Sequence, residues 1–173
     1  MTAPDPALVE TVAAHMVGWF ELANARGPGE VAARLKQQTR GYTGTGPDGA
    51  HLSYMGDASG IEVSRSGWAV DTVRITHHTV ARWAWSKLDE HDRAQLAELN
   101  HARGRAIGAL WDDPSHTKQL QRPDTLTGEE RAHLARLGAT QHSAEKAMRR
   151  IVADAFTATR NTEPAQLDLF TVG

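Results

Sequence analysis

The chain has 173 residues, 40% of them hydrophobic, a net charge of −2 and no cysteine. That is enough apolar material for a single core, so one domain, or one domain with a tail, is expected. The lack of cysteine excludes disulfides, thiolate nucleophiles and cysteine-ligated zinc or iron–sulfur centres.

An isoelectric point near 6.5 supplies no overall field drawing the chain to nucleic acid. No apolar run approaches the roughly 20 residues of a membrane span. Met1–Asp5 lacks the basic and apolar regions of a signal peptide. A cytoplasmic protein without a membrane partner is the expectation.

In chain order, Asp5-Pro6 predicts a helix start, with a carboxylate N-cap followed by proline at the first helical position. Leu8, Val12, Met16 and Phe20 then recur every four residues, with Val9 and Trp19 widening the stripe. Gly27-Pro28-Gly29 closes that helix, and a second is predicted over Glu30 to Gln38, burying Val31 and Leu35. From Gly41 to Gly67 the period changes to two. Leu52 and Tyr54, Ile61 and Val63, and Val73 and Ile75 alternate with polar neighbours, so three antiparallel strands in a meander are predicted. Helix returns near Thr79 with Val80, Trp83 and Leu88. A longer helix is expected from Asp89 to Leu110, with Leu96, Leu99, Ile107 and Leu110 on one stripe. Asp112-Asp113-Pro114 is read as its stop and residues 112–126 as a polar connection. Thr127-Gly128-Glu129-Glu130 has the pattern of a capping box. It opens a last helix that turns Leu134, Leu137, Met148, Ile151, Val152 and Phe156 inward, with Gly138 as an expected bend. The sum is an α+β domain over residues 1–160, a small three-stranded sheet packed by about five helices, followed by a flexible, extended tail over 161–173.

The body shows no catalytic constellation. Its nine histidines include the neighbours His77-His78 at a strand end, but none forms the His-x-x-x-His or His-Glu-x-x-His spacing that puts two ligands on one helical face. No metal or other cofactor is therefore assigned. Asp57, Glu62 and Asp71 flank the strands, where nucleases hold magnesium. Glu62 is followed by Val63-Ser64 rather than by the lysine of a Glu-x-Lys pattern, which leaves turn-forming and solvated carboxylates as the plainer reading. Gly44-Thr45-Gly46 precedes a strand and lacks Gly-Lys-Ser/Thr, so it is not a phosphate loop. Arg65, Trp68, Arg74, Arg82, Trp83 and Trp85 crowd the strand-to-helix region. Arginine beside exposed aromatics is a surface on which single strands stack, and Arg65, Arg74, Arg82 and Trp85 are the candidate nucleic-acid contacts. The alternative is that the tryptophans belong to the core and the arginines to solvent.

Past these elements comes Gln166-Leu167-Asp168-Leu169-Phe170. It resembles the peptide by which bacterial replication and repair proteins hold the sliding clamp, the ring-shaped processivity subunit of the replicative polymerase. That pattern is Gln-Leu, then Asp or Ser, then Leu-Phe, and all five positions match. Such a string arises by chance in roughly one chain of this length per few thousand. Pro164 cannot continue a helix and holds Glu163 extended, which favours an accessible segment; the alternative is that Leu167, Leu169 and Phe170 pack back on the core. The resemblance covers five of 173 residues. It implies a clamp partner and leaves the role of the body open. A replication accessory or inhibitor, competing with a host polymerase for the clamp, is one expectation; a clamp-tethered DNA-processing enzyme and an Arg/Trp nucleic-acid-binding module are the others. The small size and the style of the chain resemble a phage or other mobile-element protein of an actinobacterium.

Overall fold

The structure is a computed structural model and describes residues 4–38, 43–45, 51–54, 60–64 and 72–161. Helix α1 (Pro6–Met16) begins as the sequence requires: the Asp5 carboxylate accepts from the Ala7 amide at 3.1 Å and Pro6 fills the first turn. It stops sooner than its apolar period suggests. Val17 is extended, and a separate helix α2 (Trp19–Ala23) follows Gly18. Glu21 reaches back to accept from the Gly18 amide at 2.8 Å, so a polar cap rather than a loss of apolar rhythm makes the break. Helix α3 (Pro28–Gln38) starts two residues before the expected Glu30 and buries Val31 and Leu35 completely.

The expected three-stranded meander is a four-stranded antiparallel sheet among the described residues. Its strands are β1 (Thr43–Thr45), β2 (His51–Tyr54), β3 (Ile61–Ser64) and β4 (Thr72–Ile75), in spatial order β1-β2-β3-β4. The three predicted strands are β2 to β4. The additional β1 has no apolar alternation to announce it, because Thr43-Gly44-Thr45 joins the edge by backbone pairing with Ser53, Leu52 and His51. Register places Ile61 opposite Ile75 and Glu62 opposite Arg74. Ile61, Val63 and Ile75 are buried, while Glu62 and Arg74 pair on the other face at 2.8 Å. Val73 shares the inward parity with Ile75 yet is exposed, although its cross-strand partner Val63 is buried.

Helix α4 (His77–Lys87) opens on Thr76, whose hydroxyl accepts from the Thr79 amide at 3.1 Å. His77 and His78 therefore lie in a helical first turn rather than at a strand end. Helix α5 (Glu90–Asp112) is started by reciprocal bonds between Asp89 and Asp92. Residues expected to form only a polar connection contain α6 (Pro114–Gln121) and a 3-10 turn (Pro123–Thr125). Seven α-helices, not about five, are thus present among the described residues. Helix α7 (Gly128–Asn161) runs unbroken through Gly138. Its capping box forms as predicted: the Glu130 amide donates to the Thr127 hydroxyl at 3.1 Å, and the Thr127 amide to the Glu130 carboxylate at 2.7 Å.

The main core lies where α1, α3 and α4 meet the sheet and one end of the α5–α7 pair, with Val12, Leu35, Ile75, Val80, Leu96 and Met148 nearly or fully inaccessible. Helices α5 and α7 pack antiparallel, since Asp113 meets His133 and Arg103 meets Glu145. Away from the core a smaller set of buried residues, Ala106, Leu126, Leu134 and Ala144, holds the hairpin beneath α6. No helix of the described residues is long and apolar enough to cross a membrane.

Candidate functional site

The clamp-like pentapeptide Gln166–Phe170 lies outside the described residues. What the structure does describe is the element that leads to it. Helix α7 spans 34 residues, about 51 Å at 1.5 Å per residue. Its last turns are fastened to the core by Met148, Val152 and Phe156, all buried. Phe156 meets the Trp83 ring edge-on, centroids 5.1 Å apart and planes at 66°; such a contact adds about 0.5–1.5 kcal/mol beyond area burial.

Further back, Glu145 ties α7 to α5. Its Oε1 accepts from Arg103 Nε at 2.7 Å and from Gln141 Nε2 at 3.2 Å. The Arg103 hydrogen bond is the main reason the Glu145 carboxyl titrates below its ordinary value. The guanidinium of Arg103 also lies over the Trp19 ring, 5.1 Å from its centroid, so one arginine joins α2, α5 and α7. At the far end, Asp113 caps α6 by accepting from the Ser115 amide at 2.7 Å and holds His133 of α7 at 2.9 Å. The amide bond leads the causes that hold its carboxyl low. Lys118 of α6 pairs with Glu130 of α7 at 2.9 Å. Gln141–Glu145 lies within α7 and Asp113–Ser115 at the start of α6; the other pairs were not signalled by spacing in the sequence, because each joins residues from different elements. Only the carboxylates at helix starts carried a local sign.

The candidate nucleic-acid contacts fall in different surroundings. Arg65, along with Trp68, lies outside the described residues. Arg74 is held by Glu62 across the β3–β4 pair. Arg82 is exposed on α4. Trp85 is half-buried beneath the Arg93 guanidinium, 4.9 Å from its ring centroid, and Arg93 also donates to the Trp85 carbonyl at 3.1 Å. Trp83 is half-buried between Phe156 and the Lys87 ammonium, which sits 4.9 Å from its ring. Both tryptophans are therefore engaged by their own chain rather than presented bare. Of the acidic residues considered for magnesium, Glu62 is the partner of Arg74, and Asp57 and Asp71 lie outside the described residues. Among the described residues no three His, Asp or Glu side chains converge as a metal site.

A shallow groove of about 510 Å³ runs between α5 and α7, with Leu99, Ala102, Ala147 and Ile151 on its floor and Glu98, Arg150 and Asp154 at its rim. Its polar groups do not converge on one point, so it has the chemistry of a packing seam rather than of a reaction centre. Comparison with protein-family models, with curated proteins and with solved structures finds no match to this chain. The function must therefore be argued from its own residues.

Proposed function

We infer that this protein binds the bacterial replicative sliding clamp through Gln166, Leu167, Asp168, Leu169 and Phe170, and acts as an accessory or inhibitor protein of DNA replication or repair. The observation that carries the reading is the agreement of all five residues with Gln-Leu-[Asp/Ser]-Leu-Phe. The chemistry supports docking. Leu167, Leu169 and Phe170 each gain roughly 1.5–3 kcal/mol on full burial in an apolar cleft. Ordering the segment costs about 1–2 kcal/mol per residue. Backbone hydrogen bonds and the Gln166 amide, which both donates and accepts, supply the remainder. A micromolar complex, near −8 kcal/mol, is expected.

The helical body gives the peptide a role that a bare peptide lacks. Because α7 is fastened by Phe156, a clamp cleft occupied by Gln166–Phe170 also has a folded domain held beside it. Occupation of the cleft by the peptide itself excludes a polymerase bound there, which is the inhibitor form of the proposal, and the body adds bulk or a second contact; the body recruiting a second component is the accessory form.

The test is retention of the purified chain on immobilised clamp. Leu169→Ala/Phe170→Ala removes two apolar anchors, about 3 kcal/mol or more, and should weaken retention by roughly a hundredfold or more with the helical content unchanged. Retention of the double variant equal to that of the parent chain would overturn the proposal.

A further inference from the structure

We propose that the exposed face of α7 carrying Arg131, Lys146, Arg149 and Arg150 is a docking surface for the phosphate backbone of duplex DNA. At 100° per residue, Arg131 and Arg149 fall on the same line of the helix about five turns apart, and Lys146 and Arg150 lie within roughly 100° of that line. The exposed His142 lies between them. All four cations are exposed, on an arc that begins about 60° from the stripe that buries Leu134 and Val152. From Arg131 to Arg150 it extends about 28 Å, a length over which duplex DNA presents roughly sixteen phosphate charges.

The acids of α7 leave this arc open. Glu130 is turned to Lys118 and Glu145 to Arg103. Glu129 stands in the first turn on the far side of the wheel. Arg150 lies 3.7 Å from Asp154, with both side chains largely exposed, and Arg149 lies 3.8 Å from Glu145. Both separations exceed a hydrogen bond and are pairings that a phosphate can displace. Among the described residues neither Arg131 nor Lys146 has an ion-pair partner. The chain as a whole carries −2, so the positive charge here is a local segregation. Between the cations the helix shows Ala132, Ala135 and Ala139, all exposed. Short side chains let a backbone approach the helix closely, so the cations are expected to contact phosphates, whose binding is indifferent to sequence.

The choice of duplex DNA among polyanions rests on the proposed role in DNA replication or repair. The two claims fail separately. The test uses the full chain and a short fluorescent DNA duplex, with no clamp present, read by anisotropy across a salt series. Binding should weaken steeply with salt, and Lys146→Ala/Arg149→Gln/Arg150→Gln should lose about tenfold or more at low salt. Each lost phosphate contact should also reduce the slope of log K against log salt by about 0.9. Arg131→Ala, about five turns away from the others, should lower affinity in the same direction and keeps the test valid if the triple variant melts early by circular dichroism. Phe170→Ala should leave duplex binding unchanged. Duplex binding that is absent at low salt, or equal in parent and variants, overturns the proposal; so does tighter capture of duplex RNA or single-stranded DNA than of duplex DNA.

Discussion

His77 shows how burial sets a titration. It opens α4 yet is buried, and its imidazole is held below the ordinary value of 6.5, first by burial and then by the charge of Lys36. The folded state thus favours the neutral ring, and below about pH 6.5 the unfolded chain binds more protons than the folded one. Its contribution to stability is complete above pH 6.5 and is lost as pH falls toward the lowered folded value. Glu145 acts in the same direction at lower pH. Its carboxyl is depressed, so its contribution is present above the ordinary value of 4.5 and is lost as acid protonates it. Thermal melts should therefore be level at about pH 7–8 and decline from about pH 6.5 downward, with the first part of the decline reduced in His77→Gln. A parent midpoint that stays level down to about pH 5 would contradict the burial of a neutral ring. Gly60 makes a second prediction at this scale. It enters β3 with φ of 148°, and a Cβ there would stand 2.7 Å from the Ile75 carbonyl oxygen of β4. Gly60→Ala should cost about 1–3 kcal/mol in denaturant unfolding, and an unchanged midpoint would show that the strand entry tolerates a side chain.

Helix α7 depends on few anchors for its length. Phe156→Ala removes the ring against Trp83 and leaves a hole beside Val152, so it should destabilise by about 3–5 kcal/mol and shift Trp83 fluorescence. Loss of less than about 1 kcal/mol would mean that the end of α7 is not seated as described. The elements also show which signals the sequence carried. Helices α1, α3, α5 and α7 and strands β2 to β4 were legible because an apolar period coincided with a cap or a turn. Three others were not, α2 among them because the apolar stripe of α1 runs on through Trp19 and Phe20. Helix α6 has a single large apolar residue, Leu120, and it is exposed, so no stripe exists to read. Its sign was Asp113-Pro114, the same carboxylate-then-proline pair that announced α1 at Asp5-Pro6, here taken as a stop because it also ends α5. Strand β1 is held by pairing with β2 alone, and backbone hydrogen bonds leave no side-chain period. The cross-element pairs Arg103–Glu145 and Asp113–His133 were out of reach for a related reason: an ion pair between distant positions has no local spacing.

For the molecule as a whole, the basic face of α7 precedes the pentapeptide in sequence. The body packs α1, α3 and α4 on the sheet and extends the α5–α7 hairpin from it. Helix α7 ends at Asn161, five residues before Gln166 in sequence, and carries exposed cations. Taken with the proposed clamp contact, this arrangement would hold a folded domain that carries a basic helix face at the ring. Two weak contacts of this kind reinforce one another when the link between them is short, because the second forms at high effective concentration. The clamp contact is the claim on which the rest of this arrangement depends. Its most direct measurement is calorimetric titration of purified clamp with the full chain and with a chain cut after Asn161, which keeps every described element. The account predicts a micromolar complex for the full chain and no measurable heat for the cut one. Equal binding by both, or binding by neither, would contradict it.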